Sequence, residues 1–352
     1  LTRWNVNGIH HPIKRKKILA TLRAQRCDLA FIQETHLPPE EALKLRQAYY
    51  LNSKSRGTAT LIRKNLPILI ILDYADLEGR YNMVEVKIDG YHCSWCVSVS
   101  QTRMTRSSSD AFRVRSGSLG MCRWSWGGDF NEVMDPITDK SKFRRGPVPG
   151  ARRAIQGMME DFGLVDVWRW VHPTARDYTF YSHVHDVYSR IDMFLIPSSS
   201  LESVAEASIG IRLVSDHAPV SLIWVPQNAE VSSRRWRLNT SLLADKQYVK
   251  ALNEEMTDFL KYNAPSAPSK QSLWEILKAF TRGRLIARAS YLKKARGVRQ
   301  AKLEEEIKEL EKNLATHSKD HLVSVLASKK YELNLILTLQ VEYAIFRTRQ
   351  AF

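Results

Sequence analysis

Trp126-Gly127-Gly128-Asp129-Phe130-Asn131 is the stretch whose reading decides the fold. An aromatic residue, two glycines, then an acid and an amide two positions apart read as a strand end that turns sharply. Glycine permits such a turn because it tolerates backbone angles that other residues avoid. Residues i and i+2 of a strand share a face, so Asp129 and Asn131 are expected to be presented together. Alone this is a weak signal, and a strand followed by an Asx-type turn would be preferred. The decision rests on whether other segments end in partners for the carboxylate.

Upstream, Leu1 to Gly8 reads as a buried strand ending in a polar turn, with Trp4 and Val6 alternating with Asn5 and Asn7. Lys14 to Gln25 has the spacing of an amphipathic helix, with Ile18, Leu19 and Leu22 on one side and basic residues on the other. Asp28 to Gln33 is a short apolar run, as a buried strand requires, and it ends in Gln33-Glu34-Thr35-His36. A strand, helix, strand order with polar strand ends suits an α/β layered architecture. Glu40 to Ala48 is a second expected helix. Thr58 to Ile62, Leu66 to Leu72 and Asn82 to Ile88 follow as strands without intervening helices, which predicts antiparallel pairing. From Ser94 to Ser125 the chain is rich in serine and arginine and keeps neither period, so disordered or damaged sequence is expected there.

Downstream, Met134 to Gly150 reads as a polar loop with Lys140, Lys142, Arg144 and Arg145, and Ala151 to Phe162 as a helix. Leu164 to Val167, Asp177 to Tyr181 and Ser189 to Ile196 look like short strands, and Val214 to Trp224 closes the region with Ser215-Asp216-His217 entering an apolar strand. From Pro226 alternation stops and helical sequence runs to Phe352, which places a domain boundary near residue 226 and predicts domains 1–226 and 227–352. Within that tail Leu303, Ile307, Leu310 and Leu314 recur at spacings of four, three and four. The 301–315 helix therefore suits a helical hairpin or a short coiled coil, within one chain or by self-association of two.

The 352 residues can hold one large core plus an appendage, or two domains. A net charge of +16 and a pI of 9.7 attract polyanions, so nucleic acid leads among partners. The sequence holds no run of eighteen apolar residues and no signal peptide, so a soluble, intracellular protein without a membrane partner is expected. Because Leu1 stands directly before strand-like sequence, a fragment of a longer gene is expected. Cys27, Cys93, Cys96 and Cys122 are too few for a disulfide scaffold. Cys93 and Cys96 form a CxxC beside His92 with no second pair at zinc spacing, so free thiols are expected over a structural zinc.

Segment after segment ends in a carboxylate, an amide or a histidine: Asn5, Glu34, Asp129, Asn131, Asp192, and Asp216 with His217. Polar groups gathered at strand ends above packed sheets are where α/β proteins place sites. The blocks Asn5-Val-Asn-Gly, Gln33-Glu-Thr-His, Gly128-Asp-Phe-Asn, Ser189-Arg-Ile-Asp and Ser215-Asp-His resemble the signature blocks of the endonuclease/exonuclease/phosphatase superfamily. Within it they look most like the apurinic-type endonuclease of long interspersed (non-LTR) retrotransposons. His11-Pro-Ile-Lys-Arg-Lys-Lys and Trp236-Arg-Leu-Asn-Thr-Ser-Leu-Leu extend the resemblance over nearly the whole chain except Ser94 to Ser125. It implies a four-layered α/β sandwich, two packed mixed β-sheets flanked by helices, then a helical, partly coiled-coil tail resembling the linker before reverse transcriptase. No polymerase motif follows, so the chain is expected to be cut before that domain.

The implied chemistry is phosphodiester hydrolysis with a divalent cation on a phosphate oxygen, an aligned water and a stabilised leaving oxygen. Magnesium, or manganese in its place, favours hard oxygen ligands. By resemblance Glu34 would be the main ligand, with Asp216 and Asn5 beside it. Asp129 would align or deprotonate the water, Asn131 would hold the phosphate and nucleophile, and His217, oriented by Asp192, would donate to a phosphate oxygen. Tyr178, Thr179, Ser215 and the basic loop with Lys140, Arg144 and Arg145 would line a DNA groove. Taken singly, each residue has a plainer role: Asn5 and Asn131 as turn formers, Glu34 as an exposed strand-end acid, Asp192 paired with Arg190, His217 as a satisfied core histidine, and the loop as a solvated charge run.

One family block, a strand bearing a tyrosine and an asparagine that reach the scissile phosphate, is expected between Ile88 and Trp124. Ser94 to Ser125 contains no tyrosine, as a shifted and later recovered reading frame would produce. Removing one polar group that stabilises the developing charge costs about 10²–10³ in rate, and loss of a central strand would remove core burial. A degenerate copy with weak or no activity is therefore expected. Function then divides into a Mg²⁺-dependent nicking endonuclease of a retrotransposon, acting in the nucleus on DNA with element RNA held by the basic tail; an exonuclease III-like abasic-site endonuclease; and a catalytically dead nucleic-acid-binding fragment. Repair enzymes of the second kind end shortly after the Ser-Asp-His strand, whereas this chain continues. A phosphatase is disfavoured by the positive charge.

Overall fold

The structure is a computed structural model that describes residues 1–37, 49–54, 57–63, 66, 68–75, 81–88, 91–98, 124–142, 146–225, 238, 240–316 and 320–350. The expected helix at 40–48 and the basic residues Arg144 and Arg145 lie outside the described residues.

Strand β2 (Leu29–Gln33) shows why so short an apolar run is a strand. Successive side chains point to opposite faces, and both faces are covered. Leu29 and Phe31 enter one core with Val84, Phe194, Ile196, Val220 and Leu222. Ala30 and Ile32 enter another with Trp4, Ile18 and Leu22. The first core lies between two sheets. One runs β13 (Val204–Ile209), β14 (Val220–Trp224), β1 (Thr2–Asn5), β2, β4 (Thr58–Arg63), β3 (Tyr49–Lys54). The other runs β5 (Ile68–Ala75), β6 (Tyr81–Ile88), β7 (Tyr91–Ser98), β8 (Trp124–Asp129), β12 (Asp192–Pro197), β9 (Leu164–Asp166). Helix α1 (Pro12–Ala24) packs on the outer face of the first through Ile18 and Leu22. Helix α2 (Gly150–Phe162) packs on the second through Ile155 and Met158 against Trp126, Met193 and Leu195. Short helix α3 (Val167–Val171) adds Val167 and Trp168 to the inter-sheet core. Both sheets are mixed: β1 and β2 are parallel, as are β7 and β8, and the other pairs are antiparallel. The layered α/β sandwich is the expected one.

Two sequence expectations need correction. Glycines 127 and 128 do not make the turn: they sit inside β8, and neither is among the glycines with positive φ. Gly127 is needed for close approach, since a Cβ there would lie 2.9 Å from Phe194 Cε1. The turn itself falls at Asn131, with φ 48°. The pattern also does not break at Ser94. Residues 91–98 form β7, paired with β6 from Tyr81↔Ser98 to Ile88↔Tyr91 and with β8 from Ser94↔Trp124 to Ser98↔Gly128. A strand inside a sheet is held by backbone hydrogen bonds that do not depend on which side chains it carries, so loss of periodicity did not mean loss of the strand. The remainder, 99–123, lies outside the described residues, as do the side chains of Cys93, Cys96 and Cys122. Cys27 is a buried free thiol.

The chain divides into two compact units, 1–229 with 306–352 and 230–305. The helical tail is thus not a single body. In the first unit, α5 (Lys270–Thr316) from Glu306 onward and α6 (Asp320–Gln350) are joined by ion pairs Glu306–Lys329 at 2.8 Å and Glu311–Lys330 at 2.7 Å. Ile307, Leu333 and Leu337 are buried. Arg212 meets Glu311 at 2.8 Å, and Lys17 donates to Asn334 at 2.8 Å. In the second unit α4 (Lys246–Asn263) and the first part of α5 share a core of Leu242, Leu252 and Leu285, with Phe259 stacked on Phe280 at 4.5 Å.

Candidate active site

The inner faces of the central strands change from apolar to polar at one end of the sandwich. On β2 the inner residues run Leu29, Phe31, Gln33; on β8 Gly127 is followed by Asp129; on β12 Asp192 precedes Phe194 and Ile196. On β1 the inner residues are Arg3 and Asn5, opposite in face to Trp4. The registers Asn5↔Gln33 and Asp129↔Asp192 bring these positions side by side within their sheets. Polar side chains, costly to bury without partners, thus collect at one end of the sandwich, where they bond one another.

Asn5 Nδ2 donates to Glu34 Oε1 at 3.0 Å and to Asp129 Oδ2 at 3.1 Å, tying the two acids together. Asp129 is 3% exposed, and its Oδ1 accepts from the Asn131 amide at 2.9 Å. That contact is an Asx turn in which Asp129 supplies the accepting oxygen. Ser215 Oγ donates to the Asn5 carbonyl at 2.9 Å and stands 3.0 Å from Asp216 Oδ1; Asn7 Nδ2 reaches Asp216 Oδ1 at 3.3 Å. His217 Nδ1 lies 2.9 Å from Asp192 Oδ2, and Nε2 lies 3.8 Å from Asp129 Oδ2. The Asp192 contact fixes the ring, which also packs on Phe180 at 4.6 Å between centroids. Burial pushes His217 below the usual histidine range; Asp129 opposes the shift and Arg3 reinforces it. Burial thus favours the uncharged ring, and with Asp192 accepting from Nδ1–H the lone pair falls on Nε2, the nitrogen turned toward Asp129.

Arg3 was not foreseen. It is fully buried and donates to Asp192 and to Gln33, and Gln33 Oε1 also accepts the Asp129 amide at 3.2 Å. Burial lowers its pKa to about 9, with Asp129 and Glu34 pulling it back up, so it stays a cation at neutral pH. Asp192 therefore pairs with Arg3, not Arg190. Arg190 is bound instead by Asp139 at 2.9 Å and Asp166 at 2.7 Å. All four residues of β1 are buried in the structure, and a charged residue there must have a partner.

The loops carrying these groups are conformationally unusual. Asn7, Glu34, His36 and Asn131 all have positive φ. Such backbone costs of order 1–3 kcal/mol per non-glycine residue and persists where surrounding contacts over-determine it. Gly57 is one of those contacts: its carbonyl accepts the Thr35 amide at 2.6 Å, its φ is +87°, and a Cβ would lie 2.7 Å from Thr35 N. Gly57→Ala is expected to destabilise the fold by about 1–3 kcal/mol. An unchanged midpoint in thermal unfolding would refute this.

Of the expected DNA contacts, Ser215 and Lys140 are half-buried and Tyr178 is 8% exposed. Thr179 is a correction: it is fully buried, and its hydroxyl accepts from the amides of Ile191 at 3.1 Å and Asp192 at 3.2 Å. It anchors the start of β12 and has no surface to offer a groove. A two-stranded ribbon, β10 (Phe180–Ser182) and β11 (Val187–Ser189), stands beside the site.

A divalent cation has two candidate places. Ligand atoms of Asp129, Asp192 and His217 lie within 4.8 Å of one another. Asp192 is already engaged by Arg3 and His217, and a buried guanidinium beside it repels a second cation. Within that trio His217 is hydrogen-bonded to Asp192 and lies 3.8 Å from Asp129. Glu34, Asp216 and Asn5 offer oxygen donors, half-buried in the case of both acids, and neither acid is hydrogen-bonded to Arg3. This is the donor chemistry a hard cation takes.

Carboxylates, amides and one carboxylate-held histidine thus gather at one end of the two-sheet sandwich. The chain belongs to the Endonuclease/Exonuclease/phosphatase family, which matches residues 4–217. It is 24% identical over 381 residues to the Transposon TX1 uncharacterized 149 kDa protein of Xenopus laevis, covering 98% of this chain but 27% of that protein. It is 23% identical over 255 residues to an exodeoxyribonuclease of Bacillus subtilis, covering 63% of this chain and 98% of that one. Among solved structures, the AP endonuclease LMAP of Leishmania major superposes with a TM-score of 0.49 at 19% identity, over 64% of this chain and 87% of that one.

Proposed function

We propose that this chain is the DNA-nicking endonuclease of a non-LTR retrotransposon, dependent on Mg²⁺, with Mn²⁺ able to replace it, and working in the nucleus. The observation that carries the proposal is the coupled pair at the sandwich mouth: Asp129, held by Asn5 and Asn131, faces a His217 that Asp192 orients. Asp129 aligns an attacking water and accepts its proton. His217 bears on the phosphate opposite, and Asn131, at the exposed end of the turn, contacts the same group. Glu34, Asp216 and Asn5 hold the cation, which when bound polarises the phosphate and offsets charge on the leaving oxygen. Lys140 and Ser215 contribute backbone contacts to DNA.

The retroelement assignment is favoured over abasic-site repair because similarity to the transposon protein runs through the helical tail, whereas the exodeoxyribonuclease covers 63% of the chain. Turnover is weak in this copy, because the family's tyrosine contact to the phosphate has no counterpart in 94–125.

The test is nicking of supercoiled plasmid. Activity is expected with Mg²⁺, none in chelator and none in Glu34→Ala, with intact and abasic duplex cut at similar rates. A chain carrying a tyrosine-bearing strand in 94–125 should nick about 10²-fold faster. If neither chain nicks above the Glu34→Ala background, the proposal fails.

A further inference from the structure

Between Ile276 and Leu303 the sequence has nine lysines and arginines and no acidic residue. The structure divides these cations into two groups. Those in the first part of α5 are neutralised: Lys278 by Glu275 at 2.7 Å, Arg284 by Glu255 at 3.0 Å, Arg288 by Asp245 at 3.0 Å. Lys293, Lys294, Arg296 and Arg299 have no ion pair among the described residues, and Arg296 donates only to the Leu292 carbonyl of its own helix. Every residue from Lys293 to Arg299 is exposed, so two turns of helix run with none of the described residues packed on any side. Gly297 interrupts them with open space where a Cβ would stand.

This is a poor way to build a merely solvated helix. Lys293, Arg296, Arg299 and Lys302 recur at three-residue spacing, where like charges are neighbours and repel. Glycine weakens the same turns by about 1 kcal/mol relative to alanine, and no tertiary contact among the described residues offsets either cost. A polyanion would remove the repulsion. Successive residues are rotated by about 100°, so with Lys294 the charges sweep most of the way round the helix axis. A strand of phosphates touching one side would leave half of them unused, whereas a groove walled by two backbones would engage them all. A helix with side chains is about 10–12 Å across, the width of the B-DNA major groove at about 12 Å. The A-form RNA major groove is too narrow for side chains to enter.

We propose that Lys293 to Lys302 is a second nucleic-acid site, which lies in the major groove of duplex DNA and grips the phosphates of both walls without reading sequence. This extends the nuclease proposal by giving the chain a hold on target DNA separate from its active site.

The experiment measures binding of a short labelled duplex in chelator, in the Glu34→Ala background, by fluorescence anisotropy across a salt series. Lys293→Gln/Arg296→Gln/Arg299→Gln is compared with Lys246→Gln/Lys250→Gln/Lys261→Gln, which removes the same charge from exposed positions on α4. The α5 variant should lose about 10-fold or more in duplex affinity and flatten the log–log salt slope by about 0.9 for each phosphate it no longer neutralises. The α4 variant should lose far less. Helical circular dichroism is read on both to confirm the fold. Equal losses in the two variants, or none, would overturn the proposal, as would a loss confined to single-stranded RNA of the same sequence or to anionic vesicles. Stripe-dependent duplex binding in a chain that never nicks would leave this site standing while removing the nuclease.

Discussion

Asp129→Asn is expected to reduce plasmid nicking by about 10³-fold, within the 10²–10⁴ that a positioned general base contributes, while duplex binding in chelator is unchanged. The substitution keeps volume and removes the proton-accepting charge. It also tests the local geometry. Both carboxylate oxygens accept from N–H donors, Oδ1 from the Asn131 amide at 2.9 Å and Oδ2 from Asn5 Nδ2 at 3.1 Å. An amide can satisfy only one of these and must turn its own NH₂ toward the other, so a stability loss of about 1–3 kcal/mol should accompany the rate loss. Asp192→Asn, by contrast, leaves Asp129 in place and frees His217 to turn. It also leaves the buried Arg3 without its anion, so slower turnover at saturating DNA should come with a stability loss of about 3–5 kcal/mol. Nicking by Asp129→Asn at the parent's rate would exclude Asp129 as the base and move that role to His217.

The parts of the site that the sequence made legible are those where an unusual residue stands at the end of an apolar run. Glu34 after Leu-Ala-Phe-Ile-Gln and Asp129 after Trp-Gly-Gly are visible because the run's burial pattern says where the polar end must open. The layered fold was legible for the same reason, since β2 and β12 are apolar on both faces and need cover on both. Arg3 was hidden because the strand around it is too short to show that both faces are covered. The β7 strand was hidden because its pairing is made by backbone, which leaves no side-chain signature. The return of α5 and α6 to the first unit was hidden for a third reason. It rests on single long-range pairs, Arg212 with Glu311 and Lys17 with Asn334, separated by 99 and 317 positions. No local pattern encodes such pairs. Arg212 also donates to the Tyr178 carbonyl at 2.7 Å and lies over the Tyr188 ring, so the tail braces the ribbon beside the site.

Arg3→Met is expected to cost about 3–5 kcal/mol, the penalty for leaving a buried charge without its partner, against a total stability of about 5–15 kcal/mol. Both Arg3 and Asp192 have fully buried side chains, so water cannot take over. Loss of the guanidinium also strips a donor from Gln33, which orients the Asp129 amide. Two further variants separate charge from packing. Arg3→Lys keeps the cation but has no planar fork to serve Asp192 and Gln33 together, so it should recover only part of the loss. Arg3→Met with Asp192→Asn removes the uncompensated charge and should be more stable than Arg3→Met alone, although His217 loses its anionic partner and nicking does not return. Urea unfolding of the three variants decides the matter. If Arg3→Met costs under about 1 kcal/mol, or if the double variant is no more stable than the single, the ion pair is not what holds this end of the sandwich. If the predicted order holds, a residue two positions before Asn5 carries both the stability of the sandwich mouth and the orientation of its histidine.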